Sequence, residues 1–356
     1  MYKKYTLDNG LRIVTEHIPY VKSISIGVWI ETGCKHETSN NNGISHFIEH
    51  MLFKGTTSKS AKKIAELIDE IGGQINAFTS KECTCYYTKV LDNHYELAVD
   101  LLADMLFNSK IDNEDIQKEK SVICEEISMY EDSPEDLVHD LLYQSIFKNN
   151  SLALPILGTH KTLELIGREE ILKYMKKYYV SNNAVISVAG NFEEKKLINL
   201  IEKKFGNWKM AENLAPDRSV IHYNFEHSSK IKDIEQVHLC LGFKGIKLGE
   251  KKLYPLLLVN NILGGSMSSR LFQNIREDRG LVYSIYSYPS TYKQGGLLTV
   301  YAGMSPNVID EVSQLIYDEL ENLNKNGLSM VELNKSKEQL KGNYILGLES
   351  TSSRMT

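Results

Sequence analysis

The pentapeptide His46-Phe47-Ile48-Glu49-His50 constrains this chain more than any other stretch. An Asn-rich segment, Ser39 to Gly43, supplies a loop before it, and apolar Ile44, Phe47, Ile48, Met51 and Leu52 predict a mostly buried helix around it. On a helix His46, Glu49 and His50 fall within an arc of about 100°. Two imidazoles one turn apart can share a metal ion, and the carboxylate beside them can take a proton from water held there. The order is the reverse of the familiar H-E-x-x-H. The competing reading is two core histidines bonded to backbone, with Glu49 on a solvated edge.

At 356 residues the chain exceeds one ordinary core, so two domains are expected. The formal charge of −5 is spread without a basic block, which gives nucleic-acid or anionic-membrane binding no electrostatic support. No apolar run reaches the length needed to span a bilayer. The first residues run straight into strand-like sequence, so no signal or transit peptide is expected. Five cysteines make an odd count without a C-x-x-C pair, and Cys83 and Cys85 share one face of a predicted strand. Reduced thiols in a cytoplasm are the expectation, with no cysteine zinc site.

Periodicity predicts strands over 3–7 and 11–17 around the turn Asp8-Asn9-Gly10, and a third over 23–32. A helix over 60–71 ends at Gly72-Gly73. Strands over 74–79 and 82–90 follow, then a helix capped by Asp92 and running to Phe107. A long helix is predicted over 113–131 and another from Pro134 to Phe147. A loop over 151–160, a helix over 168–179, a strand over 184–190 and a helix over 193–205 complete the first half. Beyond a polar stretch the plan repeats: a strand over 236–243, helices over 252–263 and 268–278, a strand pair over 281–290 and 296–303, and helices over 305–326 and from 329. The expected fold is therefore α+β, two duplicated αβ-roll domains, each an antiparallel-rich sheet packed by helices. The expected division is a metal-binding domain over 1–210, a linker over 211–233 and a second domain over 234–356. In the second copy Leu256–Asn260 takes the place of His46–His50, and Asn343 that of Glu126, so its metal ligands are absent. The helix predicted over 335–354 runs to the end of the sequence at Thr356 without a cap or stop signal, so a C-terminally truncated second domain is expected.

A catalytic metal needs a third protein ligand and an open position. The long helix offers Glu119, Glu125 and Glu126. Glu119 and Glu126 lie within about 20° of one direction beside the apolar stripe of Ile116, Ile123 and Ile127. Glu125 points roughly opposite Ile116, toward solvent. Glu126 is preferred as ligand, with Glu119 a neighbouring carboxylate able to orient a histidine. A solvated helix edge remains open for all three acids.

The stretch Gly43-Ile44-Ser45-His46-Phe47-Ile48-Glu49-His50-Met51-Leu52-Phe53-Lys54-Gly55-Thr56 resembles the signature of the pitrilysin and mitochondrial processing peptidase family of inverted-motif zinc peptidases. Glu126 and Glu119 stand where that family places its third zinc ligand and its accessory glutamate. Gly73 to Glu82 is similar to its substrate-binding edge strand, with Asn76 and Ala77 as contact candidates. The resemblance continues through Leu263–Leu271 and Arg276–Tyr283, where Arg276 and Tyr283 match in spacing an Arg–Tyr couple used at the substrate. It covers essentially the whole chain apart from a C-terminal tail, and fits the short two-domain branch. It implies one Zn²⁺ per chain on His46, His50 and Glu126, with Glu49 as general base. The implied function is a zinc endopeptidase cleaving peptides or unfolded segments held in extended form within an enclosed chamber, as a homodimer. A non-catalytic scaffold subunit of the same fold and a metal-dependent hydrolase of small molecules are the alternatives.

Overall fold

The computed structural model describes residues 2–212 and 220–356, so residues 213–219 of the expected linker lie outside the described residues. The turn at Asp8-Asn9-Gly10 joins β1 (Lys3–Thr6) to β2 (Arg12–His17) as an antiparallel pair. β3 (Ser23–Ile30), α1 (Ile44–Leu52), α2 (Ala61–Asp69), β4 (Gln74–Thr79) and β5 (Thr84–Leu91) follow. Then come α3 (Tyr95–Asn108), α4 (Asn113–Asp132), α5 (Pro134–Ile146), α6 (His160–Leu165), α7 (Arg168–Tyr178), β6 (Ala184–Gly190) and α8 (Glu194–Phe205). The second half holds β7 (Val237–Lys244), α9 (Leu253–Leu263), a π-helix (Phe272–Glu277), β8 (Val282–Thr291), β9 (Gly296–Met304), α10 (Ile309–Asn326), α11 (Met330–Gly347) and α12 (Thr351–Met355).

Two compact units result, and each contains a six- or three-stranded sheet. The first sheet has the order β1-β2-β6-β3-β5-β4, antiparallel except where β2 meets β6. Its core joins Ile26, Val28 and Ile186 of the sheet to Phe47, Ile48 and Met51 of α1, Leu101 and Leu102 of α3, and Ile116 and Ile123 of α4, all buried. The second has the order β7-β9-β8, all antiparallel. Its core sets Val300 and Ala302 against Leu263, Ile275, Val312 and Ile316. The duplication is visible in topology: β3-β5-β4 and β7-β9-β8 share order and direction, with a helix after the first strand and two long helices after the third. The fold class is α+β.

The boundaries depart from the contiguous division at 210 and 234. Unit 1 comprises Met1–Met129, Leu154–Pro216 and Gly347–Thr356, and unit 2 comprises Tyr130–Ala153 and Asp217–Leu346. Each half of the chain gives the segment after its long helix to the other unit. Packing is the reason. α12 crosses β3 at Gly27, where a Cβ would lie 2.3 Å from Met355 Sδ, and α5 crosses β7 at Gly242, where one would lie 2.2 Å from Ile146 Cδ1. Ser25 Oγ donates to Thr351 Oγ1 (2.9 Å), fixing the first crossing. Sequence periodicity is local and carries no sign of which sheet a helix covers.

Other expectations shift at element ends. The helix expected over 268–278 is a π-helix over Phe272–Glu277. The helix expected to run through 354 ends at Gly347, and Ser350 caps a new one by accepting from the Ser353 N–H. Asp92 does not cap α3; it sits in a 3₁₀ turn and accepts from Asn191 Nδ2 (2.6 Å). α6 was not expected, its six residues being too few for a periodic signal. All five cysteines are free thiols. Among the described residues no helix is long and apolar enough to cross a membrane.

Candidate metal centre

Glu37 sets the start of α1. Buried in the core, it accepts from the Gly43 N–H (2.7 Å), the Ser45 N–H (2.8 Å) and Asn42 Nδ2 (2.9 Å). A carboxylate here satisfies amides that the helix leaves unpaired and complements its dipole. Burial pushes the Glu37 carboxyl above the ordinary carboxylate value, and these hydrogen bonds oppose that rise. Gly43 itself has φ 93°, and a Cβ there would come within 2.7 Å of Leu157 O, so a larger residue could not begin the helix this way. The Tyr174 hydroxyl bonds Ser45 Oγ (3.0 Å) and Thr32 Oγ1 (2.8 Å), tying the same turn to α7 and to the segment just after β3.

The helix so placed presents His46 and His50 with ring centroids 4.6 Å apart. Glu126 of α4 approaches both: its Oε2 lies 3.8 Å from His46 Nε2 and 3.7 Å from His50 Nε2. These separations are too long for hydrogen bonds and suit donors around one ion, since bonds of about 2.0–2.2 Å in a tetrahedron place ligands about 3.3–3.6 Å apart. Among the described residues this trio alone brings three such donors together, within 4.8 Å of one another. Burial, and then the neighbouring His50, lower the His46 pKa to about 3, so its imidazole is neutral and able to ligate at any pH near neutrality. The donor set, two imidazoles and a carboxylate, fits Zn²⁺ with a position to spare.

Glu119 is buried on the same face of α4 and holds His50 Nδ1 at 3.0 Å, leaving Nε2 to face Glu126. Its other oxygen takes Lys54 Nζ at 2.6 Å. Sequence reading did not single out Lys54, which lies four residues past His50; a cation one turn beyond the motif is the signal that could have found it. Glu125 is exposed, as its helical direction requires. The expected effect of Glu119→Gln is a loss of about 10–100-fold in zinc affinity, without collapse of the site, measured by competition with a chromogenic chelator. Lys54→Met should weaken zinc in the same direction and less. Unchanged affinity in both would return Glu119 to a purely structural role.

Glu49 lies beside the trio, three residues from His46. Burial raises its carboxyl above the ordinary value, Glu126 adds to this, and Thr79 and His50 oppose it. The Thr79 hydroxyl donates to Glu49 Oε2. Thr79 ends β4, the edge strand of the six-stranded sheet; the sequence marked its stretch as an edge strand but not the residue itself.

Asn76 and Ala77 also lie on β4, with side chains on opposite faces. Ala77 packs against the core and Asn76 is exposed, its Oδ1 accepting from the Ala77 N–H (2.8 Å). Arg276 and Tyr283 belong to unit 2. The Arg276 guanidinium stacks 4.6 Å from the Phe272 ring within the π-helix. Tyr283 is the extra residue of a bulge where β8 slips against β9, and it is 77% exposed. π-helical turns and bulges both re-aim side chains and recur at functional sites.

Residues 12–160 match the family model described as insulinase (peptidase family M16), and residues 166–340 match the peptidase M16 inactive domain. The chain belongs to the M16 peptidase family, that of pitrilysin and insulinase. Among its M16 relatives, the uncharacterized zinc protease YmxG of Bacillus subtilis is 52% identical, covering 100% of this chain and 87% of its own length. An uncharacterized zinc protease of Streptomyces coelicolor is 41% identical over 99% of this chain and 78% of its own. A protease from Helicobacter pylori shares the fold with TM-score 0.93 at 23% identity, over 99% of this chain and 87% of that one. A chain of complex III2 from Candida albicans shares it with TM-score 0.82 at 24% identity, over 99% and 84%.

Proposed function

We propose that the protein is a zinc-dependent endopeptidase of the cytoplasm that cleaves peptides or unfolded segments in extended form. The observation that carries this reading is the convergence of His46 Nε2, His50 Nε2 and Glu126 Oε2 beside an acidic Glu49 and an open sheet edge. The relatives named as zinc proteases support it. His46, His50 and Glu126 would hold Zn²⁺, which when bound would lower the pKa of a water and polarise a carbonyl. The Glu49 carboxylate would accept a proton from the attacking water and pass it to the leaving amine. β4 accepts the peptide as an added strand, reading main chain more than side chain. Tyr283, with Arg276, donates to the oxyanion of the tetrahedral intermediate. The assembly is a homodimer, in which Tyr283 comes from the partner.

Zinc analysis paired with digestion of a mixed peptide pool tests this. The expected result is about one zinc per chain and broad peptide cleavage, lost on chelation and regained with zinc, with ester substrates untouched. A zinc-loaded protein that leaves the pool intact would favour the scaffold reading.

A further inference from the structure

The chemistry of β4 depends on which of its residues face outward, and the pleat answers this. The Ser80 N–H donates to Cys83 O (2.8 Å), so that pair is hydrogen-bonded. The register continues through Thr79↔Thr84, Phe78↔Cys85, Ala77↔Tyr86 and Asn76↔Tyr87. Hydrogen-bonded and open pairs alternate along an antiparallel ladder. Phe78 and Asn76 therefore turn their backbone groups to β5, while Thr79, Ala77 and Ile75 turn theirs to the free edge. The bond from the Ala77 N–H to the Asn76 side chain agrees, since that amide has no ladder partner.

Thr79 is thus exceptional on this strand. Its backbone N–H and C=O face the open edge, where an added peptide would hydrogen-bond. Its side chain, on the helix-facing side with Ala77, donates to Glu49. We propose that Thr79 is a positioning residue, locking the Glu49 carboxylate to the register of a peptide bound along the β4 edge. One residue then sets both the height of the scissile bond and the direction of the base. The hydroxyl is the atom that meets Glu49. The inference rests on the endopeptidase reading, and it concerns geometry that a substrate meets before any bond breaks.

Thr79→Val removes the hydroxyl and keeps strand shape and backbone groups. The expected result is kcat lower by about 10–100-fold, the scale of a misplaced catalytic group, with KM within about twofold. Zinc content should match wild type, and the affinity of the zinc-free protein for a fluorescent unstructured peptide should be unchanged. Thr79→Ser, which restores the donor, should recover most of kcat. If Thr79→Val does not fold, Thr79→Ala carries the same expectation. A Val variant with full kcat would overturn the proposal, as would a Ser variant no better than Val, or a loss confined to KM and peptide affinity. A wild-type protein that binds zinc and cleaves no peptide would instead defeat the endopeptidase reading, and the two failures are told apart by that control.

Discussion

Glu49→Gln is expected to hold zinc at about one ion per chain and to lose hydrolysis by about 10²–10⁴-fold or more, because an amide cannot take the proton. The amide can still accept from Thr79, so the side chain should stay in place and the loss should report chemistry rather than folding. The ligand variants should behave differently. His46→Ala, His50→Ala and Glu126→Gln each remove one of three donors that converge within 4.8 Å, and each should lower bound metal and activity together. Glu125→Gln, altering an exposed neighbour on the same helix, should change neither. The measurement is metal content by mass spectrometry beside the turnover of one unstructured peptide. Full zinc in Glu126→Gln, with loss in Glu125→Gln, would show that the wrong carboxylate was assigned. Activity surviving in Glu49→Gln would remove the general base from the mechanism.

The second large effect tests whether two chains share one site. Tyr283 is lifted from the β8–β9 ladder by a bulge and stands in solvent, where it serves no core. In a two-fold symmetric dimer each site would take Glu49 from one subunit and Tyr283 from its partner. Homodimers of Glu49→Gln and of Tyr283→Phe should each be severely impaired. When equal amounts exchange subunits, half the dimers are mixed, and each mixed dimer has one intact site of two. Activity should therefore recover to about a quarter of wild type. Mass-tagged subunits and native mass spectrometry would establish the exchange. No recovery despite exchange would place the site within one chain, or leave Tyr283 without a role.

The metal-binding helix was legible because its evidence is local. The spacing of His46, Glu49 and His50 and the apolar residues around them encode one face of one helix, and that helix forms over Ile44–Leu52. Glu126 was legible in part. Helical direction separated it from Glu125, yet the solvated-edge reading remained until α4 was seen to bring its Oε2 within 3.8 Å of both imidazoles. The strand signals of both halves were equally local, and β4 and β6 match their expected bounds.

By itself the amino-acid sequence determined the pair of imidazoles with its acid and the α+β repeat. Each follows from periodicities of 3.6 or 2 residues read over short windows. Only the tertiary structure decided that Glu119 bridges His50 and Lys54, and that Glu37 anchors the helix from seven residues upstream of its first turn. It alone showed that α5 and α12 pack with the units opposite to their places in the chain. Strand order made β4 an edge and its pleat aimed Thr79 at Glu49. The physical reason is common to all of these: they are pairings between residues distant along the chain, and which partners meet is set by packing of whole faces rather than by any signal that neighbours carry.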